Sequence, residues 1–187
     1  MGRDKALLPF RGSTFLNHLV SLLLPRVRPL AIVLGHHAEA IRETIVPSGD
    51  PDLRVVTNPR YKQGMLTSLQ AGIRALPVDI PAALFTLVDH PAVNEATIDR
   101  LLRESGDTGA PVVVPRYRGE RGHPVVVSRS VLDGILALPP DGSAKTVIRE
   151  HRPETHFVDV DDPGVVTDVD LPGEYEALKK GQNLPLA

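Results

Sequence analysis

The feature that most restricts the fold of this chain is an alternation of short apolar runs with amphipathic stretches between residues 30 and 103. Leu30–Leu34 (LAIVL) is an unbroken apolar run that stops at Gly35, the pattern of a buried strand. His37–Val46 follows, with Ile41 and Ile45 at helical spacing. Leu53–Thr57 (LRVVT) predicts a second strand, and Met65–Leu76 a helix with Leu66, Leu69, Ile73 and Leu76 on one face. Ala82–Val88 (AALFTLV) is the most apolar run and predicts the central strand. Asn94–Arg103 predicts a helix with Asn94 as its N-cap and Ile98, Leu101 and Leu102 turned inward. Strands that alternate with helices are joined by crossovers, so the expected class is α/β with a doubly wound, mainly parallel sheet.

Beyond residue 110 the rhythm changes. Pro111–Pro115 and Pro124–Ser128 predict strands joined by the charged, Gly-containing stretch RYRGERGH instead of a helix, which implies an antiparallel or edge element. Helices are expected near Val131–Leu138 and Ala144–Glu150, a last strand at His156–Val160, and a final helix at Pro172–Lys180 with proline near its first position. The closing residues, GQNLPLA, predict a loose tail. No repeat, linker or low-complexity segment interrupts the 187 residues, a length that suggests one domain.

Composition removes several function classes. The chain has 21 Lys and Arg against 23 Asp and Glu, with no basic block, so no nucleic-acid partner is expected. Tryptophan is absent and aromatics make up 4%, so base stacking on aromatic platforms is not its main device. The lack of cysteine excludes disulfides, thiolate nucleophiles and Cys-ligated metal sites, and it fits a reducing, cytoplasmic setting. The apolar runs near Leu19–Leu24 and Ala82–Val88 are too short to span a bilayer, so no membrane partner is expected. Neither follows a basic N-terminal region with a cleavage site.

Ligands of open α/β sheets bind at the carboxyl ends of the strands. Three segments fall at such ends: Asn58–Ser68, Asp89–Pro91 and Thr167–Pro172. Asp89 directly follows the strongest strand, where a carboxylate either holds a hard cation such as Mg²⁺ or begins a turn. Asp168 and Asp170 alternate and share one side of an extended backbone; they either join Asp89 at a metal or, for Asp170, cap the helix that starts near Pro172. Gly64, Met65, Thr67 and Ser68 open a helix, whose free N–H groups form an anion or base-edge site. Arg121-Gly122-His123-Pro124 precedes a strand; His123 there either orients a substrate phosphate or bonds to the backbone. His36 and His37 read as surface or capping residues, and Asp159, Asp161 and Asp162 as a solvated turn. The opening around Lys5 has no strand before it and is expected to be loosely held.

Taken together these segments resemble one family. MGRDKALLPFRGSTFLNHLV resembles the second half of the nucleotidyltransferase signature Leu-Ala-Ala-Gly-x-Ser-x-Arg-Met-Gly-x-x-Lys-x-Leu-Leu-Pro. NPRYKQGMLTSLQAGI, FTLVDHP, RYRGERGHPVVVS and VVTDVDLPGEYEAL resemble the molybdenum-cofactor cytidylyltransferase branch, in the expected order and over nearly the whole chain. The Asn-Pro…Gly-Met-x-x-Ser-Leu and Gly-His-Pro elements differ from the guanylyltransferase branch and favour CTP. The resemblance implies a Rossmann-like sheet with one antiparallel strand. It implies Mg²⁺-dependent transfer of CMP from CTP to a phosphorylated cofactor, molybdenum-molybdopterin, with release of pyrophosphate. Carried over by position, Lys5 and Asp89 are the catalytic pair, and Gly2, Lys5, Asn58, Gly64, Met65 and Ser68 bind the nucleotide. Arg121, Gly122 and His123 face the second substrate, and Asp89 with Asp170 or Asp168, Asp170 preferred, holds the metal.

Two departures from the pattern carry expectations. Met1-Gly2 aligns with the Met-Gly of the signature, so the signature's first strand, its Gly-rich turn and its Arg lie outside the 187 residues. A sheet without that strand should show a groove in its place, and weak nucleotide binding, because the turn supplies backbone donors to the triphosphate. The family's late Gly-Asp-x-Gly-Ala is replaced by Pro140-Asp141-Gly142-Ser143-Ala144-Lys145, which bears on the second substrate. The alternatives are a nucleotidyltransferase of another specificity, for GTP or a sugar 1-phosphate, and a nucleotide-binding domain with impaired catalysis.

Overall fold

The computed structural model describes residues 4–180. After a single 3-10 turn at Lys5–Leu7, β1 (Pro9–Phe10) and β2 (Ser13–Thr14) form a hairpin that leads into α1 (Phe15–Leu23). The Thr14 hydroxyl accepts the Asn17 N–H and so caps α1. β3 (Leu30–Leu34), α2 (Ala38–Arg42), β4 (Leu53–Thr57), α3 (Met65–Ala75), β5 (Ala82–Phe85) and α4 (Glu95–Thr108) follow. The second half holds β6 (Val112–Tyr117), β7 (Glu120–Arg121), β8 (Val125–Ser128), α5 (Arg129–Ala137), α6 (Ala144–Glu150), β9 (Thr155–Asp159) and α7 (Pro172–Lys179).

β3 and β4 pair in parallel, Leu30 opposite Leu53 through Leu34 opposite Thr57. β5, β6 and β9 run in one direction; β6 pairs in parallel with β9 and antiparallel with β8, and β8 pairs antiparallel with β5. The short β7 shares with β8 one edge of β6, so the RYRGERGH stretch is a hairpin, as its length requires. The architecture is therefore mixed α/β, with β8 as the one long strand that runs against the others.

The most apolar run departs from the reading above. Its ladder stops at Phe85, not Val88, and among the described residues it pairs along one edge only, with β8. All four β5 residues are half-buried, whereas Val112, Val113 and Val127 of the doubly paired strands are 0% exposed. The second helix is also shorter than its isoleucine spacing suggests and ends at Arg42, ahead of Pro47.

Asp162 is a correction with a physical reason. It is 3% exposed, not part of a solvated turn. Its carboxylate accepts the Asn94 N–H at 2.9 Å, the Thr97 hydroxyl at 2.7 Å and the Gly164 N–H at 2.9 Å. Asn94 is the N-cap residue of α4 by position, but its side chain makes no capping bond; Asp162 supplies the oxygen from across the fold. Replacing Asp162 with Ala leaves three donors unmatched and should cost about 3 kcal/mol. The expected result in urea denaturation is a lower midpoint with an unchanged slope; an unchanged midpoint would contradict the capping role.

Candidate active site

The site forms where residues remote in sequence meet beyond the carboxyl ends of β3, β4 and β5. The hairpin packs Leu8 and Phe10 against Phe15, Val169 and Tyr175, and the Tyr175 hydroxyl donates to the Pro9 carbonyl at 2.8 Å. The opening segment is therefore fixed against α7, contrary to the loose terminus expected from sequence. The Val169 N–H donates to the Asp89 carbonyl at 3.0 Å, which sets the segment 168–170 beside the end of β5.

This docking brings Lys5 between two carboxylates. Its ammonium donates to Asp89 Oδ2 at 3.2 Å and to Asp170 Oδ1. Burial lowers the Lys5 pKa, but the bonds to Asp170 and Asp89 outweigh it and raise the value above the ordinary one. The bond to Lys5 holds Asp170 below the usual carboxylate range. Asp170 does not cap α7: that position belongs to Leu171, and Glu174 reaches back to the N–H groups of Asp170 and Leu171, at 2.7 Å each. Asp168 and Asp170 are both exposed on either side of fully buried Val169, as alternation requires. Only Asp170 meets Lys5.

Beside this triad lie two histidines. The rings of His90 and His123 stand 5.0 Å apart. Burial pushes His123 down to about 4, with repulsion from His90 adding and Asp89 opposing; burial also lowers His90. Asp89 Oδ1, His90 Nδ1 and His123 Nδ1 are buried atoms with no hydrogen-bond partner among the described residues. Such atoms are rare in a folded protein, and a bound water, ion or ligand would satisfy them. His90 received no role from sequence, although it stands in the Asp89-His90-Pro91 turn; only its proximity to His123 identifies it. Gly122 lets the segment pass under the chain at Val165, since a Cβ there would lie 2.0 Å from the Val165 carbonyl oxygen. Arg121 is exposed and lies over the Phe157 ring.

The nucleotide-side candidates gather at the start of α3. Asn58 is 2% exposed, and its amide donates to Thr67 Oγ1 and Ser68 Oγ, both at 2.9 Å, while its oxygen accepts the Arg60 N–H. Its side chain is thus used inside the protein and shapes the loop before α3. Gly64 has φ +115°, a conformation that favours glycine, and precedes Met65, which is 71% exposed. Lys5, Met65, Ser68, Arg121 and His123 border one continuous cleft. Gly2 lies outside the described residues. His37 Nδ1 lies 2.8 Å from Asp4 Oδ2, and His36, His37 and Asp4 form a cluster of possible ligand atoms within 4.8 Å of one another, which the sequence reading missed because Asp4 is remote from the histidines.

No helix among the described residues is long and apolar enough to cross a membrane. The chain is 23% identical over 182 residues to the molybdenum cofactor cytidylyltransferase of Escherichia coli, covering 96% of this chain and 89% of that protein. It is 26% identical over 181 residues to a probable molybdenum cofactor guanylyltransferase of Mycobacterium ulcerans, covering 95% and 86%. The structure of Rv0371c from Mycobacterium tuberculosis in complex with manganese superposes with a TM-score of 0.77 at 27% identity, over 96% of this chain and 93% of the other. Residues 1–155 match the MobA-like NTP transferase domain, and the chain belongs to that family of nucleotidyltransferases.

Proposed function

We propose that this chain transfers CMP from CTP to the terminal phosphate of a molybdopterin-type cofactor. In that reaction an acceptor phosphate oxygen bonds to the α-phosphorus of CTP, the α–β bridging bond breaks, and pyrophosphate leaves. The observation that carries the proposal is the Lys5 ammonium held jointly by Asp89 and Asp170, with Asp89 Oδ1 buried and unpaired beside it. Two carboxylates that converge on one cation, with a third oxygen to spare, suit a hard divalent ion such as Mg²⁺. When bound, the ion would neutralise charge on the triphosphate.

The chain's own residues supply the rest. Asp89 and Asp170 would hold the ion, and Lys5 would then turn its charge to the phosphates. Ser68 borders the cleft as a hydroxyl donor, with Asn58 positioning it, and the N–H groups at the start of α3 would add to it. Met65 offers an apolar contact for a base. His123 and Arg121 border the other part of the cleft, the side we assign to the acceptor. CTP is favoured by the NPR…GMLTS and GHP elements; the relatives named for cytidylyl and for guanylyl transfer match at similar identity, so GTP is the second reading.

Pyrophosphate release with molybdopterin, Mg²⁺ or Mn²⁺, and either CTP or GTP tests both readings. Asp89→Asn and Asp170→Asn should each lower turnover by about 100-fold or more, with an unchanged urea midpoint for the exposed Asp170. Turnover retained in Asp89→Asn would reject the metal assignment, and a preference for GTP would transfer the proposal to the second reading.

The histidines predict a pH dependence of stability. An unfolded His takes up a proton near pH 6.5, whereas folded His123 resists it until about 4. The unfolded state thus binds more protons between these values, and stability falls as pH drops through that window, while above it both states are neutral and nothing is lost. The depressed folded value corresponds to about 3 kcal/mol across the window. His90 adds in the same direction. His123→Gln should flatten the fall measured by denaturation at pH 7, 5.5 and 4.5; an unchanged slope would remove His123 as its source.

A further inference from the structure

Two histidines meet a carboxylate just past the carboxyl end of β3. His36 and His37 follow Leu34 and Gly35, and Asp4 reaches them from the start of the Lys5–Leu7 turn. Asp4 Oδ2 lies 2.8 Å from His37 Nδ1, and Asp4 Oδ1 lies 3.9 Å from His36 Nδ1. Each carboxylate oxygen thus faces a different imidazole. One ligand atom from each residue falls within 4.8 Å of the others, and no other three His, Asp or Glu residues do so among the described residues.

The backbone is arranged for this convergence. Neighbouring side chains of an extended chain point to opposite faces. Here His37 takes φ +51° and ψ 32°, the left-handed region that favours glycine, and the two rings come together with centres 3.6 Å apart. A bulky residue in that region stores strain that the surrounding structure must hold. It is held from two sides. A Cβ at Gly35 would lie 2.7 Å from Tyr61 Cβ, so the chain that leads to His36 is pressed against Tyr61. Ala6 and Leu7 pack against the cluster that includes Leu34, Ala38 and Ile41, which seats the turn behind Asp4 on β3 and α2. Apolar contacts therefore set the donor atoms in place.

A surface ion pair alone does not account for the arrangement. Such a pair needs one carboxylate and one imidazole, and it gains little from a second ring crowded against the first. A bound cation does account for it. Two imidazole nitrogens and a carboxylate oxygen are a donor set for Zn²⁺ and its first-row neighbours. Zinc bonds of about 2.0–2.1 Å in tetrahedral geometry put donor atoms about 3.3 Å apart. The observed 2.8 and 3.9 Å bracket that spacing. The all-oxygen pair of Asp89 and Asp170 suits a harder ion. His36 and His37 are exposed, so water can take the remaining position.

We propose that Asp4, His36 and His37 form a metal site distinct from Asp89 and Asp170, for Zn²⁺ or a chemically similar divalent ion such as Co²⁺ or Ni²⁺. The ion ties the turn that carries Lys5 to the carboxyl end of β3. The Asp4 carbonyl accepts the Leu7 N–H at 3.0 Å, so Asp4 begins that turn, and Lys5 is the next residue. The role is structural: the ion fixes the turn from which Lys5 reaches Asp89 and Asp170. It holds whichever nucleotide the chain uses.

The test is calorimetric titration of Zn²⁺ into the 187-residue chain with Mg²⁺ in excess. One equivalent should bind. Loss of a group that merely supports a ligand costs about 10–100-fold in metal affinity, so loss of a ligand should cost about 100-fold or more. That loss is expected in Asp4→Asn, His36→Ala and His37→Asn, with Asp89→Asn unchanged. Asparagine tolerates the left-handed backbone, so His37→Asn removes the ligand and keeps the loop. Zn²⁺ should raise the unfolding temperature of the parent chain and leave that of His37→Asn where it is. Cu²⁺ bound in place of Zn²⁺ should show coupling to two imidazole nitrogens by electron paramagnetic resonance, a readout on the unaltered chain. Three results overturn the proposal. One is no binding, or several equal equivalents as scattered surface histidines would give. Another is affinity retained in His37→Asn. The third is loss of the ion in Asp89→Asn, which would place it with Asp89, His90 and His123.

Discussion

The arrangement on which the site depends is the docking of the opening hairpin against the final helix. Leu8, Phe10, Phe15 and Val169 are each no more than 6% exposed and bury their surface together under Tyr175. Apolar burial of this kind contributes about 25 cal/mol per Å² and does not depend on ionic strength or pH. The Lys5 pairs do: Asp170 is 61% exposed and its contact is screened by water. The apolar cluster therefore fixes the backbone, and the charges follow from it. Lys5, Asp89 and Asp170 come from residues 84 and 165 apart along the chain, yet one backbone bond, Val169 N–H to the Asp89 carbonyl, sets the two carboxylates in register.

The electrostatic balance at that point suits nucleotidyl transfer. Two carboxylates against one ammonium leave a net negative centre, which repels a triphosphate unless a further cation is present. A divalent ion bound there would reverse the local sign and leave the Lys5 charge available to phosphate. The neutral state of His90 and His123 fits the same logic. Two imidazoliums with ring centres 5.0 Å apart would compete for the carboxylates; burial keeps the rings uncharged, as donors or acceptors at their free nitrogens.

Much of the fold was legible because it rests on local pattern. Leu30–Leu34 and Leu53–Thr57 are strands with the bounds their apolar runs suggest, and Ala144–Glu150 is a helix with the expected ends. The hairpin of β6 with β7 and β8 followed from a connection too short for a helix. What failed was set by distant partners. Asp162 looks like any acid in a Pro-Gly turn, and only the fold brings the start of α4 onto it. Lys5 was read as loosely held because the sequence does not reveal that Pro9 and Tyr175 meet. Asn58 was assigned to the nucleotide, yet its amide is used on Thr67 and Ser68. Residue type identified the segment; burial decided whether a side chain faces the ligand or supports a neighbour that does.

β5 connects the two halves of this picture. Asp89 follows its carboxyl end, and it borders the cleft along the edge that has no strand partner among the described residues. Among the described residues it is held by a ladder on one side only, which constrains a strand less than pairing on both, and its half-buried residues reflect that. The position of Asp89 is then fixed from three directions: the β8 ladder behind it, the Val169 N–H beside it and Lys5 in front. Catalysis of phosphoryl transfer rests on positioning, where small displacements of a charged group are costly. The order of β5 and the position of Asp89 are in this sense one property of the chain.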